Sequence, residues 1–421
     1  MNDNRNQYTN NYMIEFKQGQ ELIMESAQPV EPEWIDTHDS IGRVLFSDIH
    51  SPSSLPPFNN SAMDGYAVNA ADLLNASPDS PVTLLLSGVT AAGDESNEIS
   101  DSQGKACKIM TGAPVAGGFD SIIPVENTQL DGNNVICFSC VDQGAHIRKI
   151  GEDFIEGETV ASKGEVINTN VITGLIAIGV PKVQVYKRVR VSVFSTGKEL
   201  VDDLNTPLKP GQIRNSNKPF ILNWLSNLPV ECIDAGTNYD EVGKFESDLK
   251  RELELGSKII ISSGAVSMGD FDFIPQTIIK LGGTIVFHKN RIKPGKPILF
   301  ATFPNGSFYF GLPGNPISAA IGLRFYVSTL LRTILGQPPE MPLKAIASNN
   351  MNKKQGFRSI WKASAEVDSA ASLQVKILDG QESFKLKPLM RSNGWVMIDE
   401  NKVSVKPGDV IDFYPSKLTW Q

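Results

Sequence analysis

The stretch VRVSVFSTGKEL (189–200) decides the reading of the fold. VRVSVFS (189–195) has the continuous apolar character of a buried strand, and SerThrGlyLysGluLeu (195–200) ends it in a glycine turn. Downstream the same alternation repeats: a helix near 217–228, strand PVECIDAG, a helix at 240–255, strand KIIISSG (258–264) and a helix near 273–281. Strand GTIVFHK, strands 298–303 and 307–311, and helix 316–335 complete the series. Strands alternating with helices of this length predict a doubly wound α/β domain over 186–335.

Upstream, residues 13–30 have helical spacing and 38–46 suggest a second short helix. The Pro- and Ser-rich SPSSLPPFNN (51–60) marks a boundary, and 61–150 reads as short strands and turns, a small and mostly β module. NVITGLIAIGV (170–180) returns to a helical pattern. Downstream, GQPPEMPL (336–343) is a linker, and a second β module ends in VKPGDVIDFYP.

The composition excludes more than it identifies. A chain of 421 residues, 41% of them hydrophobic, can build several packed cores. A net charge of −8 argues against a nucleic-acid binder. No run approaches the length of apolar sequence that a membrane span needs, so no membrane contact is expected. The four cysteines (107, 137, 140, 232) make no disulfide framework and suit a reducing, cytoplasmic compartment. CysPheSerCys (137–140) lacks a second pair or a nearby histidine and carries no zinc expectation.

Ligands of open α/β sheets bind beyond the carboxyl ends of the strands. Three motifs occupy such ends: SerThrGlyLysGluLeu (195–200), SerSerGlyAlaValSerMetGlyAspPheAsp (262–272) and GlyLeuProGlyAsnPro (311–316). They are expected to converge on one crevice. At the last of them Asn315 is a possible cap and Pro316 suits the first helical position, so the helix start would favour a phosphate or oxyanion, with Ser318 adding a hydroxyl. LysProGlyLysPro (293–297) sets Lys293 and Lys296 around a tight turn, where two ammoniums repel unless an anion lies between them. Asp64, Asp153, Glu199, Asp270 and Asp272 are loop carboxylates, hard oxygen ligands of the type Mg²⁺ takes together with substrate phosphate. There is no GxxxxGK[ST] loop and no GxGxxG, and the histidines stand in no triad order.

In order along the chain, ProPheAsnAsnSerAlaMetAspGlyTyrAla (57–67), MetThrGlyAlaProVal (110–115), GlyGluAspPhe (151–154), SerThrGlyLysGluLeu and GlyGlnIleArgAsnSerAsn (211–217), then SerGlyAlaValSerMetGlyAsp (263–270), LysProGlyLysPro and LeuProGlyAsnProIleSer (312–318), resemble the molybdopterin molybdenumtransferase family, related to the C-terminal region of gephyrin. The resemblance implies four segments: a discontinuous, elongated helical dimerisation domain (13–50 and 150–185), an inserted mainly-β domain (51–149), the α/β domain (186–335) as the pterin-binding one, and a C-terminal β-barrel (340–421). It implies a homodimer whose site is shared between subunits, and possible docking onto the molybdopterin adenylyltransferase. The implied reaction inserts molybdate into adenylylated molybdopterin, hydrolysing the adenylyl bond with Mg²⁺ and releasing AMP.

By the same resemblance Asp64, Thr111, Glu199 and Asp272 are the expected catalytic residues, and Asp64, Asp153, Glu199, Asp270 and Asp272 the expected metal ligands. Ser195, Thr196, Ser263, Ser267, Lys293, Lys296, Pro313, Gly314, Asn315, Pro316, Ser318, Lys362 and Ser392 are expected to bind substrate. The sequence departs from the family at Lys198 (usually Asp), Ala265 (usually Gly) and Lys362 (usually Arg), which leaves room for a tungstate-preferring paralogue. A non-catalytic dimeric scaffold is the other rival, since fold alone does not fix function.

Overall fold

The computed structural model describes residues 13–95, 101–264 and 273–416. Its centre is a six-stranded sheet built from β1 (Val189–Thr196), β2 (Val230–Asn238), β3 (Ile259–Ser263), β4 (Thr284–Phe287), β5 (Leu299–Thr302) and β6 (Phe308–Leu312), in the order β2-β1-β3-β6-β5-β4. β2, β1, β3 and β6 run parallel, while β5 is antiparallel to both of its neighbours. The helices are α1 (Asn217–Leu225), α2 (Val242–Glu254), α3 (Ile274–Lys280) and α4 (Pro316–Ile334).

Successive strand side chains point to opposite faces, and the apolar run of β3 feeds both. Ile259 and Ile261 join one core with Ile221 and Leu225 of α1 and Ile317 and Ile321 of α4. Ile260 joins the other, with Phe194, Phe245 and Leu249 of α2 and Ile274 and Ile278 of α3. Each such side chain contributes about 1.5–3 kcal/mol on burial. Helices cover both faces, as a doubly wound sheet requires.

α4 contains a π-turn at Leu323–Val327. At 19 residues it is long and apolar enough to cross a membrane by length and composition, against the expectation that no segment would be, yet 89% of it is buried inside this fold. Helix Phe16–Ser26 lies along its second half: the Phe16 ring is 6.1 Å from Phe325 and 5.6 Å from Tyr326, and Gln20 donates to the Phe325 carbonyl. Met13–Ile14 extends the contact by pairing in parallel with Lys289–Asn290.

Residues 32–50 and 159–186 form a separate unit. Pro32–Asp36 pairs antiparallel with Lys182–Tyr186, Ile49–His50 pairs with Thr159–Ala161, and helix Thr169–Ala177 closes the core. The Asn168 side chain caps that helix, accepting from the amides of Asn170 and Val171. Residues 38–46 are not the helix their spacing suggests: a 3₁₀ turn at Thr37–Asp39 is followed by extended chain, with bridges from Val44 to Val166 and from Leu45 to Val185.

Between these two stretches lies a second six-stranded sheet, in the order Ser121–Pro124, Gly65–Val68, Lys105–Ile109, Val82–Thr90, Asn134–Cys137, Thr128–Asp131. After the linker the chain closes a five-stranded barrel. Arg358–Val367, Leu373–Ile377, Leu343–Ala347, Val410–Pro415 and Gly394–Ile398 form a ring, sealed by the pairing of the last with the first. Closure leaves no strand edge unpaired in that ring.

Candidate active site

The three strand-end motifs meet. The Gly264 amide, just past β3, donates to the Leu312 carbonyl at the end of β6 (3.0 Å), and Gly314 lies directly beside Gly264. On the other side Gly264 abuts β1: its φ is +103°, and a Cβ there would overlap the Thr196 carbonyl oxygen. Only glycine permits both this backbone conformation and this approach. The Thr196 hydroxyl donates to the Ser263 carbonyl (3.3 Å). Glu199 folds its carboxylate back over Gly197, whose φ of +150° favours glycine.

Residues of GlyGlnIleArgAsnSerAsn complete the crevice. Asn217, the first residue of α1, donates to Ser263 Oγ and to the Gly314 carbonyl, both at 2.8 Å. Asn215 accepts from Ser195 Oγ (3.0 Å) and donates to Asp202 (2.8 Å). The buried Lys218 ammonium lies 3.5 Å from Asp202 and 3.1 Å from Asp234. Asp202 is desolvated, which would raise its pKa, but hydrogen bonds from Thr237 and Asn215 and the charge of Lys218 outweigh this and lower it. Asn215, Asn217, Lys218, Asp202 and Asp234 were not among the expected site residues. The AsnSerAsn run (215–217) was the one local signal for the first two.

At the start of α4, Pro316 takes the first helical position, but Asn315 makes no side-chain cap. The Ile317 amide donates instead to the Ser383 carbonyl of the barrel (3.1 Å), so one of the helix's free donors is already engaged. Pro313 and Ser318 are buried and Gly314 and Asn315 exposed.

Lys293 and Lys296 both reach solvent on their turn. Asn290 braces that turn from beneath: its amide donates to the Lys296 carbonyl (2.9 Å), its Nδ2 to the Ile298 carbonyl (3.2 Å), and its Oδ1 accepts from the Tyr326 hydroxyl (3.0 Å). Tyr326 belongs to the π-turn of α4, which links the turn to the long helix. Ile292–Lys293 also pairs in parallel with Arg358–Ser359 of the barrel.

Other expected residues stand apart from the crevice. Lys362 is fully buried within the barrel, and its ammonium donates to the carbonyls of Glu382 (3.2 Å) and Lys385 (3.3 Å). Burial pushes it down to about 8. Its reach to the crevice is indirect, through the loop that carries Ser383. Ser392 is half-buried and donates to the Leu389 carbonyl (2.8 Å). Asp153 is exposed in a loop tied to Leu55 through its backbone.

Asp64 and Thr111 sit together in the inserted sheet. The amide and hydroxyl of Thr111 both donate to one Asp64 oxygen, at 2.8 and 2.9 Å, and hold its carboxyl below the usual carboxylate range. Among the described residues no hydrogen bond or ion pair joins this pair to the crevice within one chain. Ser267, Asp270 and Asp272 lie outside the described residues. Among the described residues no three His, Cys, Asp or Glu side chains cluster around one metal position. Mg²⁺ does not need such a cage, because it keeps several waters and takes one or two carboxylates plus substrate phosphate. An ionised Asp64 and a solvent-reaching Glu199 fit that mode.

Comparison with known proteins covers nearly the whole chain. Residues 14–179 match the family described as the MoeA N-terminal region (domain I and II), residues 192–333 the probable molybdopterin binding domain, and residues 344–416 the MoeA C-terminal region (domain IV). The chain is 32% identical to the molybdopterin molybdenumtransferase of Synechococcus elongatus, over 93% of this chain and 96% of that protein. It is 31% identical to the one from Haemophilus influenzae, over 96% and 98%. A crystal structure of the molybdopterin biosynthesis MoeA protein of Pyrococcus horikoshii superposes with a TM-score of 0.80 at 27% identity, covering 96% of this chain and 99% of its own.

Proposed function

Since the chain belongs to the molybdopterin molybdenumtransferase family, transferases of molybdenum cofactor biosynthesis, we propose that it inserts molybdate into adenylylated molybdopterin and that the adenylyl phosphoanhydride is hydrolysed in the same event, releasing AMP. The observation that carries this reading is the meeting of three strand-end loops at Gly264, with a lysine turn and a helix start braced nearby.

The substrate is polyanionic and molybdate is a dianion. Lys293 and Lys296, each held at its backbone by the Asn290 brace or the barrel pairing, lower the electrostatic cost of bringing the two together. The α4 start offers its remaining amides and Ser318 to the same end. Ser195, Thr196, Ser263, Pro313, Gly314, Asn315 and Pro316 form the walls that orient the substrate, and Ser392 supports the barrel side. When bound, Mg²⁺ would neutralise charge that develops on the pyrophosphate. Asp64, Glu199, Asp153, Asp270 and Asp272 are its proposed ligands, with Thr111 keeping Asp64 ionised.

Among the described residues the Asp64–Thr111 pair has no hydrogen bond or ion pair to the crevice of its own chain, which supports a homodimer in which each crevice is completed by the other subunit. Four free cysteines fit a cytoplasmic enzyme, and the adenylyltransferase that supplies the substrate is the natural docking partner.

AMP release from adenylylated molybdopterin, measured with Mg²⁺ and with or without molybdate, tests the reading. Release that depends on molybdate is the expected result. Release indifferent to molybdate, or none from folded protein, overturns it.

A further inference from the structure

The orientation of the Asn217 amide is forced. A backbone carbonyl can only accept, so the group facing Gly314 must be the nitrogen, and the bonds to Gly314 and to Ser263 Oγ use both of its hydrogens. Oδ1 is left over, and among the described residues no group donates to it. Nor does the side chain serve its own helix: it sits at the first position of α1, where Ser216 is the capping residue and makes no side-chain cap bond. The residue is half-buried at the meeting point of two strand-end loops. The result is a neutral acceptor, locked against flipping, at the meeting point of the strand-end loops.

A locked carbonyl oxygen repels phosphate and molybdate and attracts N–H donors. The uncharged end of the proposed substrate has such donors along the pyrimidine edge of its pterin, at the ring N–H and the 2-amino group. We infer that Asn217 is a specificity-determining residue whose Oδ1 accepts an N–H from that edge. The inference rests on the reading that the crevice takes the pterin. It divides the labour within the site, with the lysine turn and helix start holding the charged parts and Asn217 reading the heterocycle. A site that hydrogen-bonds a donor discriminates against analogues that lack it, because its acceptor is then left unpaired.

The test is calorimetric titration of the full chain with pterin and with 1,3-dimethyllumazine, which lacks both donors. The wild type is expected to prefer pterin by about tenfold, a modest ratio because Asn217 is only half-buried. Asn217→Ala is expected to bring the ratio close to one. Asn217→Asp keeps an oxygen at the position and is expected to retain the preference, so it separates the acceptor from the brace and serves if the alanine variant does not fold. Equal binding of both ligands by the wild type overturns the inference and leaves the crevice reading standing. Proportional weakening of both ligands in both variants assigns Asn217 to bracing alone and also overturns it. Binding of neither ligand by the folded wild type overturns the crevice reading and the inference with it.

Discussion

Thr111 gives both its amide hydrogen and its hydroxyl hydrogen to the same oxygen of Asp64, at 2.8 and 2.9 Å. Among the described residues the second carboxylate oxygen has no hydrogen-bond donor and is left for another partner. Two donors on one oxygen fix the carboxylate plane and favour its charged form.

Replacing Asp64 with Ala is expected to abolish molybdate-dependent AMP release without altering the melting curve, since the residue is exposed. Thr111→Val removes one of the two bonds and should cost roughly tenfold in Mg²⁺ half-saturation, the usual effect of losing a residue that orients a ligand. It should also move the acid limb of the pH–rate profile upward. Asp64 is held ionised by bonds that are lost only as pH falls through its lowered value, and without the Thr111 hydroxyl that loss begins nearer the ordinary value of about 4. An unmoved acid limb would remove Asp64 from the metal role.

Gly264→Ala places a methyl group against the Thr196 carbonyl on a backbone that alanine disfavours. A cost of about 1–3 kcal/mol is expected, visible as a lower Tm, together with a larger loss in kcat/KM as the three loops separate. Full activity with unchanged Tm would show that the loops do not need this contact.

Tyr326→Phe leaves the buried Asn290 Oδ1 without its hydroxyl donor. About 1–3 kcal/mol of stability should be lost, and the half-saturating molybdate concentration should rise because Asn290, which braces the Lys296 side of the turn, is held less firmly. Loss of stability with unchanged molybdate dependence would confine the pair to a structural role.

Lys362 provides a pH signature. Its folded value of about 8 lies below the ordinary lysine value, so the unfolded chain holds the proton more tightly. Its contribution is therefore complete above the unfolded value and is lost as pH falls through 8. Relative to Lys362→Met, the wild type should gain stability as pH rises from about 8 towards 10. Parallel melting curves across that window would place the ammonium in solvent rather than against the Glu382 and Lys385 carbonyls.

The α/β core was legible because Val189–Thr196, Ile259–Ser263 and Phe308–Leu312 are largely apolar runs that stop at Ser, Gly or Pro, and in open α/β sheets such ends are also where ligands bind. Residues 38–46 misled because apolar residues at 41, 44 and 45 mimic a helical face. Val44 and Leu45 instead pair in extended chain with partners more than a hundred residues away. Lys362 could not be read locally, since its burial is decided by the 378–385 loop, tied to it by Gln381 and by its own ammonium. The engagement of the α4 start by Ser383 was hidden for the same reason. The carboxylates of 265–272 lie outside the described residues.

The helix Phe16–Ser26 finds its cover on α4, where Gln20 meets Phe325 and Thr329, 305 and 309 residues further along the chain. A ribosome adding about 5–20 residues per second needs roughly fifteen seconds to a minute to make that stretch. For this time Phe16 and Ile23 lack the cover that α4 gives them, although both are buried in the finished protein. The first helix cannot take its final place before α4 has been made, so its apolar face stays without that cover while most of the chain is synthesised.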